Sequence, residues 1–231
     1  MSWSEIPYRV REALEDLPKD LLARSGSVFY SGPSAFCSPS PLYVLGLNPG
    51  GSPTEYIHET VGSRLALFRS MTSPWSAYSD ESWCNAPPGS WMMQPRVVHM
   101  LTALSLEPRA VPSSNVVFAR SSNEKALTEE KASLLAACWP VHQAVIDSLG
   151  VQVVLCFGGT AGRWVREQLG ATVLIDQFRE TNKRGWLNTA HQAPDGRTVV
   201  TCTHPSRADW RNSEADPTPL VRRALQPLAT R

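Results

Sequence analysis

The chain has 231 residues, of which 42% are hydrophobic and 19% are charged, and its formal net charge is +1. We expect a single globular domain over residues 1–231 rather than a membrane protein, because no apolar run approaches the roughly 20 residues that cross a bilayer. The N-terminus has no apolar signal core, and the five cysteines include no CxxC pair. We therefore expect a cytoplasmic protein without a zinc ribbon or an iron–sulfur cluster.

Charge is distributed unevenly along the chain. Residues 1–159 hold 11 Lys/Arg and 14 Asp/Glu, a balance of −3, whereas residues 160–231 hold 11 and 7, a balance of +4. The total is too small to predict a nucleic-acid binder by itself. A mildly basic final third is nevertheless able to face phosphates.

The N-terminal part, residues 1–40, is predicted to form a helix followed by a loop. Apolar residues recur close to helical spacing over residues 5–24, and Pro18 predicts a break. A loop rich in Ser, Pro and Gly then leads into residues 41–46, PLYVLG, which carry no charge. Such a run, bounded by turn residues, predicts a strand that is buried on both faces of an α/β sheet.

The later elements alternate between helices and strands. Helices are predicted near residues 61–71, 91–104, 128–149, 159–169 and 216–226, and further strands at 115–120, 151–157 and 197–203. Residues 72–91 are predicted to form a long ordered insert rich in Trp, Pro and Ser, and residues 172–192 an irregular excursion or a hairpin. This order predicts a three-layer α/β/α sandwich around a mostly parallel, roughly four-stranded sheet.

The loop after the first strand, Leu47-Asn48-Pro49-Gly50-Gly51, carries polar and conformationally free residues. Asn48 offers one acceptor and two donors on a short stem, and Pro49 fixes the backbone beside it. The two glycines allow another molecule to approach the backbone, or allow successive N–H groups to face an anion. An ordinary Asn-Pro-Gly turn explains this stretch equally well.

The last strand runs into His204-Pro205-Ser206-Arg207. Loops that follow parallel strands leave the sheet at one edge, so Asn48 and His204 are predicted to share a cleft although 156 positions separate them. A histidine can donate, accept or titrate near neutral pH. Taken alone, a histidine at the end of a strand is more often an ordinary surface residue.

GLNPG after the first strand and THPSR after the last resemble motifs of the uracil-DNA glycosylase superfamily. The first is similar to the GINPG and GMNPG of its mismatch-specific (thymine-DNA) and single-strand-selective branches, and FGGTAG after the third strand fits the same arrangement. The resemblance implies a monofunctional DNA glycosylase that needs no metal or cofactor. Such an enzyme extrudes a uracil, a mismatched thymine or a modified pyrimidine and hydrolyses its N-glycosidic bond, which leaves an abasic site.

The resemblance also implies roles for individual residues. Asn48 would hold the attacking water, and His204 would donate to a carbonyl oxygen of the leaving base. Gly46, Leu47 and Arg120 would line the base pocket, and Gly50, Gly51, Ser52, Ser206 and Arg207 would contact the DNA backbone. Tyr56, the aromatic residue nearest to the loop, could also line this pocket by stacking on the base, although aromatic residues are as often simple packing. Glu55 or Glu59 could lend a general base, although acids at a helix start are more often simply solvated.

One position departs from the family pattern. In several branches an Asn on the second strand reads the edge of the pyrimidine, and VVFARSS places Arg120 near that position. The identity of the base therefore stays open, and it includes a bulky hypermodified cytosine in foreign DNA. Neither motif contains a Lys for a Schiff base, which is why a monofunctional enzyme is expected.

Two alternatives belong to other functional classes. The first is a nucleic-acid-binding module that kept the fold and lost the chemistry, and the second is a hydrolase of free nucleosides or nucleotides. The insert 72–91 could shape a pocket for a bulky base or serve as a hydrophobic lid. We expect a monomer whose partner is single- or double-stranded DNA rather than a membrane.

Overall fold

The computed structural model describes residues 3–127 and 129–226. Within them the sheet is built from β1 (Leu42–Gly46), β2 (Ser113–Asn115), β3 (Val153–Phe157), β4 (Val173–Arg179), β5 (Leu187–Gln192) and β6 (Thr198–Cys202). The strand order is β2-β1-β3-β6-β5-β4. The strands β2, β1, β3 and β6 are parallel to one another. The protein is therefore of the α/β class with a mostly parallel sheet, as predicted.

The predicted number of four strands is wrong, because the described part of the chain forms a six-stranded sheet. Residues 172–192 form the antiparallel hairpin β4–β5, and β5 pairs with β6 in antiparallel register. A hairpin is one of the two alternatives predicted for these residues, but the predicted strand count omits it because β4 is mostly exposed at the edge of the sheet. The strand begins with three apolar residues, Val173 to Ile175, but these are exposed, and Asp176 interrupts the run.

The helices are α1 (Tyr8–Glu15), α2 (Lys19–Ala23), α3 (Val61–Ser70), α4 (Ala77–Asp80), α5 (Gln94–Ala103), α6 (Lys131–Ser148), α7 (Gly159–Leu169) and α8 (Thr218–Leu225). The break between α1 and α2 falls at Pro18, as predicted. Helix α6 continues through Pro140, and residue 128, at which the predicted helix 128–149 begins, lies outside the described residues. Helix α7 ends at Gly170, which adopts the left-handed conformation with φ of 63°.

Strand β1 is buried on both faces, because alternate side chains enter two separate apolar clusters. Tyr43 and Leu45 lie in the first cluster, which includes residues of α1, α3, α6 and α7. Leu42 and Val44 lie in the second cluster with residues of α5 and α8. The alternation follows from the period of two in a strand, and it explains why the sequence of β1 carries no polar position.

Strand β2 lies earlier in the chain than predicted. It ends at Asn115, the residue at which the predicted strand 115–120 begins. Val116 and Val117 still donate their N–H groups to the carbonyls of Gly46 and Leu47, and their side chains are buried. The apolar run VVF at residues 116–118 therefore indicates that this segment is buried beside β1, but it does not mark the bounds of β2.

All five cysteines are free, and Cys138, Cys156 and Cys202 are buried. Burial raises the pKa of the Cys138 thiol to about 12 and that of the other two further, so these thiols are protonated core residues. Within residues 3–127 and 129–226, no helix is both long and apolar enough to span a membrane.

Candidate active site

The parallel strands bring the loops of Asn48 and His204 to one edge of the sheet. Leu45 pairs with Cys156, and Cys156 pairs with Thr201, so the carboxyl ends of β1, β3 and β6 are in register. Asn48 follows the end of β1 by two residues, and His204 follows the end of β6 by two residues. Since only β3 lies between these strands, the strand axes are about 10 Å apart at a spacing of about 4.8 Å per strand.

The orientation of the Asn48 side chain is fixed by its amide nitrogen. This nitrogen donates to the Pro49 carbonyl oxygen at 2.7 Å and to the Ser121 hydroxyl oxygen at 2.9 Å. Among the residues that the structure describes, no donor forms a hydrogen bond with the amide oxygen of Asn48. That oxygen is therefore the acceptor that the side chain offers to a ligand or a water molecule.

The His204 ring is held in one tautomer by Ser206. Its Nδ1 atom accepts from the Ser206 backbone N–H at 3.1 Å and lies 2.8 Å from the Ser206 hydroxyl oxygen. A backbone N–H can only donate, so Nδ1 carries no proton and the neutral ring carries its proton on Nε2. Burial, and to a smaller degree the positive charge of Arg207, lowers the pKa of His204 to about 4. Near pH 7 the ring is a neutral hydrogen-bond donor through Nε2.

Aromatic side chains extend from His204 along the same edge of the sheet. The Phe157 ring lies 6.1 Å from the His204 ring and 6.4 Å from the Tyr78 ring, both edge to face. Tyr78 in turn stacks on Tyr30, with ring centroids 6.0 Å apart, and the Trp83 ring contacts both tyrosines. Tyr78 and Trp83 belong to the insert 72–91, which therefore contributes aromatic surface beside His204.

Asn115 is a polar residue at this edge of the sheet that is not among the predicted site residues. It ends β2, it is buried, and it lies close to Tyr30, whose pKa burial raises to about 12. A Cβ atom on Gly46 would lie 2.1 Å from the Asn115 amide oxygen, so the close approach of the two strands requires glycine there. The signal for Asn115 was present as an amide beside a buried run. The predicted strand 115–120 begins at this residue, whereas the observed strand ends there.

Arg120 and Tyr56, both predicted to line the base pocket, contact each other. The guanidinium carbon lies 4.3 Å from the centre of the Tyr56 ring, and Nη2 lies 3.1 Å from a Glu59 carboxylate oxygen. Arg120 also donates to the Gly50 carbonyl oxygen, and its side chain is only 11% exposed. Arg120 is thus a clamp that holds the Asn48 loop against the segment of Tyr56 and Glu59.

The other predicted residues of this loop have different surroundings. The Leu47 side chain packs against the first apolar cluster, so only its backbone lies at the edge of the sheet. Gly51 has φ of 99°, and a Cβ atom there would lie 3.0 Å from the Tyr56 ring. The Ser52 hydroxyl oxygen lies 2.8 Å from the Thr54 hydroxyl oxygen, within hydrogen-bond distance, in a segment open to solvent.

The two predicted DNA-contacting residues of the His204 loop, Ser206 and Arg207, have different surroundings. The Ser206 hydroxyl is used on the His204 ring. Arg207 is exposed, and its carbonyl oxygen accepts a hydrogen bond from the Arg184 guanidinium. Ser206 is therefore a positioning residue for the imidazole, whereas the Arg207 side chain is available to an anion.

A cavity of about 420 Å³ adjoins the Asn48 loop on the side of Ser121. It is lined by Ala23, Arg24, Ser25, Pro53, Thr54, Ile57, Ala119, Arg120, Ser121, Ser122, Ala126, Leu127 and Glu130. Neither Asn48 nor His204 lines it. The cavity is therefore distinct from the space between the two motif loops.

No protein-family model matches the chain. No curated protein matches it either. The function therefore depends on the chemistry of the site itself.

Proposed function

We propose that this protein is a monofunctional DNA glycosylase that hydrolyses the N-glycosidic bond of an extruded pyrimidine. In this proposal the sheet is the middle layer of a three-layer α/β/α sandwich, and DNA is the partner. The two apolar clusters, one on each face of β1, support the layered arrangement. The chemistry uses side chains alone and requires no cofactor.

The observation that carries the proposal is the register of the parallel strands. It brings the Asn48 amide and the His204 imidazole to one edge of the sheet with one strand between them. Ligand sites of open α/β sheets lie at this edge. A spacing of about 10 Å between β1 and β6 leaves room for a flat ring between the Asn48 and His204 loops.

Hydrolysis of an N-glycosidic bond builds negative charge on the departing base and positive charge on the sugar. The Nε2–H of His204 is a fixed donor for a base oxygen that becomes more negative in the transition state. The free amide oxygen of Asn48 accepts a hydrogen bond from the attacking water. An amide cannot remove the proton of that water at neutral pH, so bond breaking runs well ahead of water attack.

Asn115 adds a second recognition element to the proposal. A buried amide can donate and accept at once, which suits the alternating donor and acceptor groups on the edge of a pyrimidine. Tyr30 and Trp83, which are only partly buried, offer ring surface to the base, and the buried rings of Tyr78 and Phe157 pack behind them. Asn115, rather than Arg120, is therefore our candidate for reading the base, because the Arg120 donors are engaged by Gly50 and Glu59.

The experiment is an excision assay on labelled oligonucleotides that contain uracil, mismatched thymine or modified cytosines, including bulky hypermodified ones, followed by alkaline cleavage. We expect strand cleavage for at least one base. We expect His204→Ala to lower the rate by about 10²- to 10³-fold, the typical loss for one transition-state hydrogen-bond donor. We expect Asn48→Ala to lower the rate as well, because the attacking water loses its acceptor. His99→Ala is a matched control. His99 lies on α5, its Nε2 atom is 3.6 Å from an Asp216 carboxylate oxygen, and it takes no part in the proposed chemistry.

The same assay separates the alternatives. Binding of the oligonucleotides without alkali-labile sites would favour a binding module that has lost catalysis. Activity on free nucleosides, together with activity on DNA that does not depend on its length or on salt, would favour a nucleoside hydrolase. Phosphate contacts would instead make DNA affinity fall steeply with salt. Cleavage that is equal in the parent and both motif variants would contradict the proposed site.

A further inference from the structure

The turn between β4 and β5, residues 180–186, lies at the same edge of the sheet as the candidate active site. Strand β5 runs antiparallel to β6, with Thr189 opposite Thr201. If the ladder is continued by three residues, Trp186 falls opposite His204. The end of the turn at Trp186 therefore lies beside the loop that carries the imidazole.

Two hydrogen bonds join this hairpin to the His204 loop. The Thr203 N–H donates to the Asn188 amide oxygen at 2.6 Å. The Arg184 guanidinium donates to the Arg207 carbonyl oxygen. The turn and the loop thus form one continuous surface.

This surface combines cations with an exposed aromatic ring. Lys183 and Arg207 are exposed, and the Arg184 guanidinium lies 4.6 Å from the centre of the Trp186 ring. The Trp186 side chain is 38% exposed. The acid of the turn, Glu180, is buried and pairs with Arg184 at 3.3 Å, which leaves the exposed Lys183 and Arg207 as the cations of this surface that face an approaching anion.

The turn is held in one conformation by its own polar groups. The Glu180 carboxylate accepts from the Asn182 amide at 2.8 Å and pairs with Arg184 at 3.3 Å. The Asn182 amide oxygen accepts from the Arg184 backbone N–H at 2.9 Å, and Gly185 supplies the left-handed residue with φ of 57°. A ligand would therefore meet a preformed surface, which reduces the entropy lost on binding.

We propose, on the basis of the proposed function, that residues 180–186 are a second DNA contact of the site. Trp186 stacks on a base next to the extruded nucleotide, and Lys183 contacts a backbone phosphate. The occupant is a nucleic-acid strand, because exposed cations beside an aromatic platform match the phosphates and the π-faces of unpaired bases. Continuity with Arg207, the exposed cation of the His204 loop, places that strand next to the reacting nucleotide.

Binding of a fluorescein-labelled single-stranded 15-mer with one central tetrahydrofuran abasic analogue, followed by anisotropy, tests this inference. The probe contains no base to excise, so the result is independent of which base the enzyme removes. We expect Trp186→Ala to weaken binding roughly 5- to 100-fold, the range for the loss of one base–aromatic stack. We expect Lys183→Ala to reduce the slope of log Kd against log salt by about 1.

Trp186→Phe, which keeps a stacking ring, should retain most of the affinity. Tyr8→Ala is the control, because Tyr8 is a 66% exposed aromatic residue on α1, outside the loops of the site. If the parent binds the probe and both Trp186→Ala and Lys183→Ala bind as tightly, the turn is not a DNA contact, while the glycosylase proposal stands. If the parent neither binds the probe nor excises any base, both proposals fail. Should Trp186→Ala fail to fold, the salt slope of Lys183→Ala decides.

Discussion

Replacement of His204 by Asn should change how the stability of the protein depends on pH. Burial lowers the pKa of His204 from 6.5 to about 4, so the folded protein resists protonation of this ring. Between these two pH values the unfolded chain binds the proton and the folded chain does not. The free energy of unfolding therefore rises with pH across this window, is lost progressively as the pH falls from about 6.5 to 4, and is insensitive to His204 above it.

The magnitude follows from the two pKa values. A folded pKa near 4 and an unfolded pKa of 6.5 give a loss of roughly 2.5 kcal/mol between pH 7.5 and pH 4.5. Asn at position 204 has no titrating group, and its amide oxygen can still accept from the Ser206 N–H. The parent should therefore lose roughly 2.5 kcal/mol more than His204→Asn over this range.

Urea unfolding of both proteins at half-unit steps from pH 4.5 to 7.5 measures this difference. The other buried histidine, His142, whose pKa burial lowers to about 3, titrates in both proteins, so its contribution cancels. A difference in unfolding free energy that stays constant across the range would show that the His204 ring is not desolvated. It would also remove the argument that this ring is a neutral donor near pH 7.

Two further predictions concern packing and the proposed general base. A Cβ atom on Gly162 would lie 2.1 Å from the Thr201 hydroxyl oxygen, so Gly162→Ala should lower the free energy of unfolding by about 1–3 kcal/mol. Gly159→Ala, in the same helix with open space around it, should change stability by less than about 1 kcal/mol in either direction, and equal losses in urea unfolding would contradict this packing. Glu59→Gln should leave the excision rate within about threefold, because the carboxylate is paired with Arg120 rather than held for proton transfer, whereas a loss of about 100-fold or more would identify Glu59 as a general base.

The elements that the sequence predicts well are those with strong local signals. Strands β1 and β3 are short apolar runs that end at glycine, and their burial on both faces explains why no polar residue interrupts them. Helix α7 begins after Gly158 and ends at Gly170, and both glycines have positive φ values that other residues rarely adopt. Pro18 separates α1 from α2 for an equally local reason.

The features that the sequence leaves undetermined arise from contacts between distant segments. Strand β4 lies at the edge of the sheet and is mostly exposed, so its residues need no apolar pattern, and only pairing with β5 defines it. Asn115 lies close to Tyr30, 85 positions away in the sequence, and whether it ends a strand or begins one depends on its pairing with Gly46. No local pattern contains that information.

The two motifs show the same division at the site itself. The sequence alone determined which residues follow the buried strands, because an amide and an imidazole stand directly after apolar runs. Only the tertiary structure decided that one strand separates these loops, that Ser206 fixes the His204 tautomer, and that the β4–β5 turn lies beside them. Strand order, burial and hydrogen-bond partners depend on how the chain crosses the sheet, and the amino-acid pattern of a single element does not record that path.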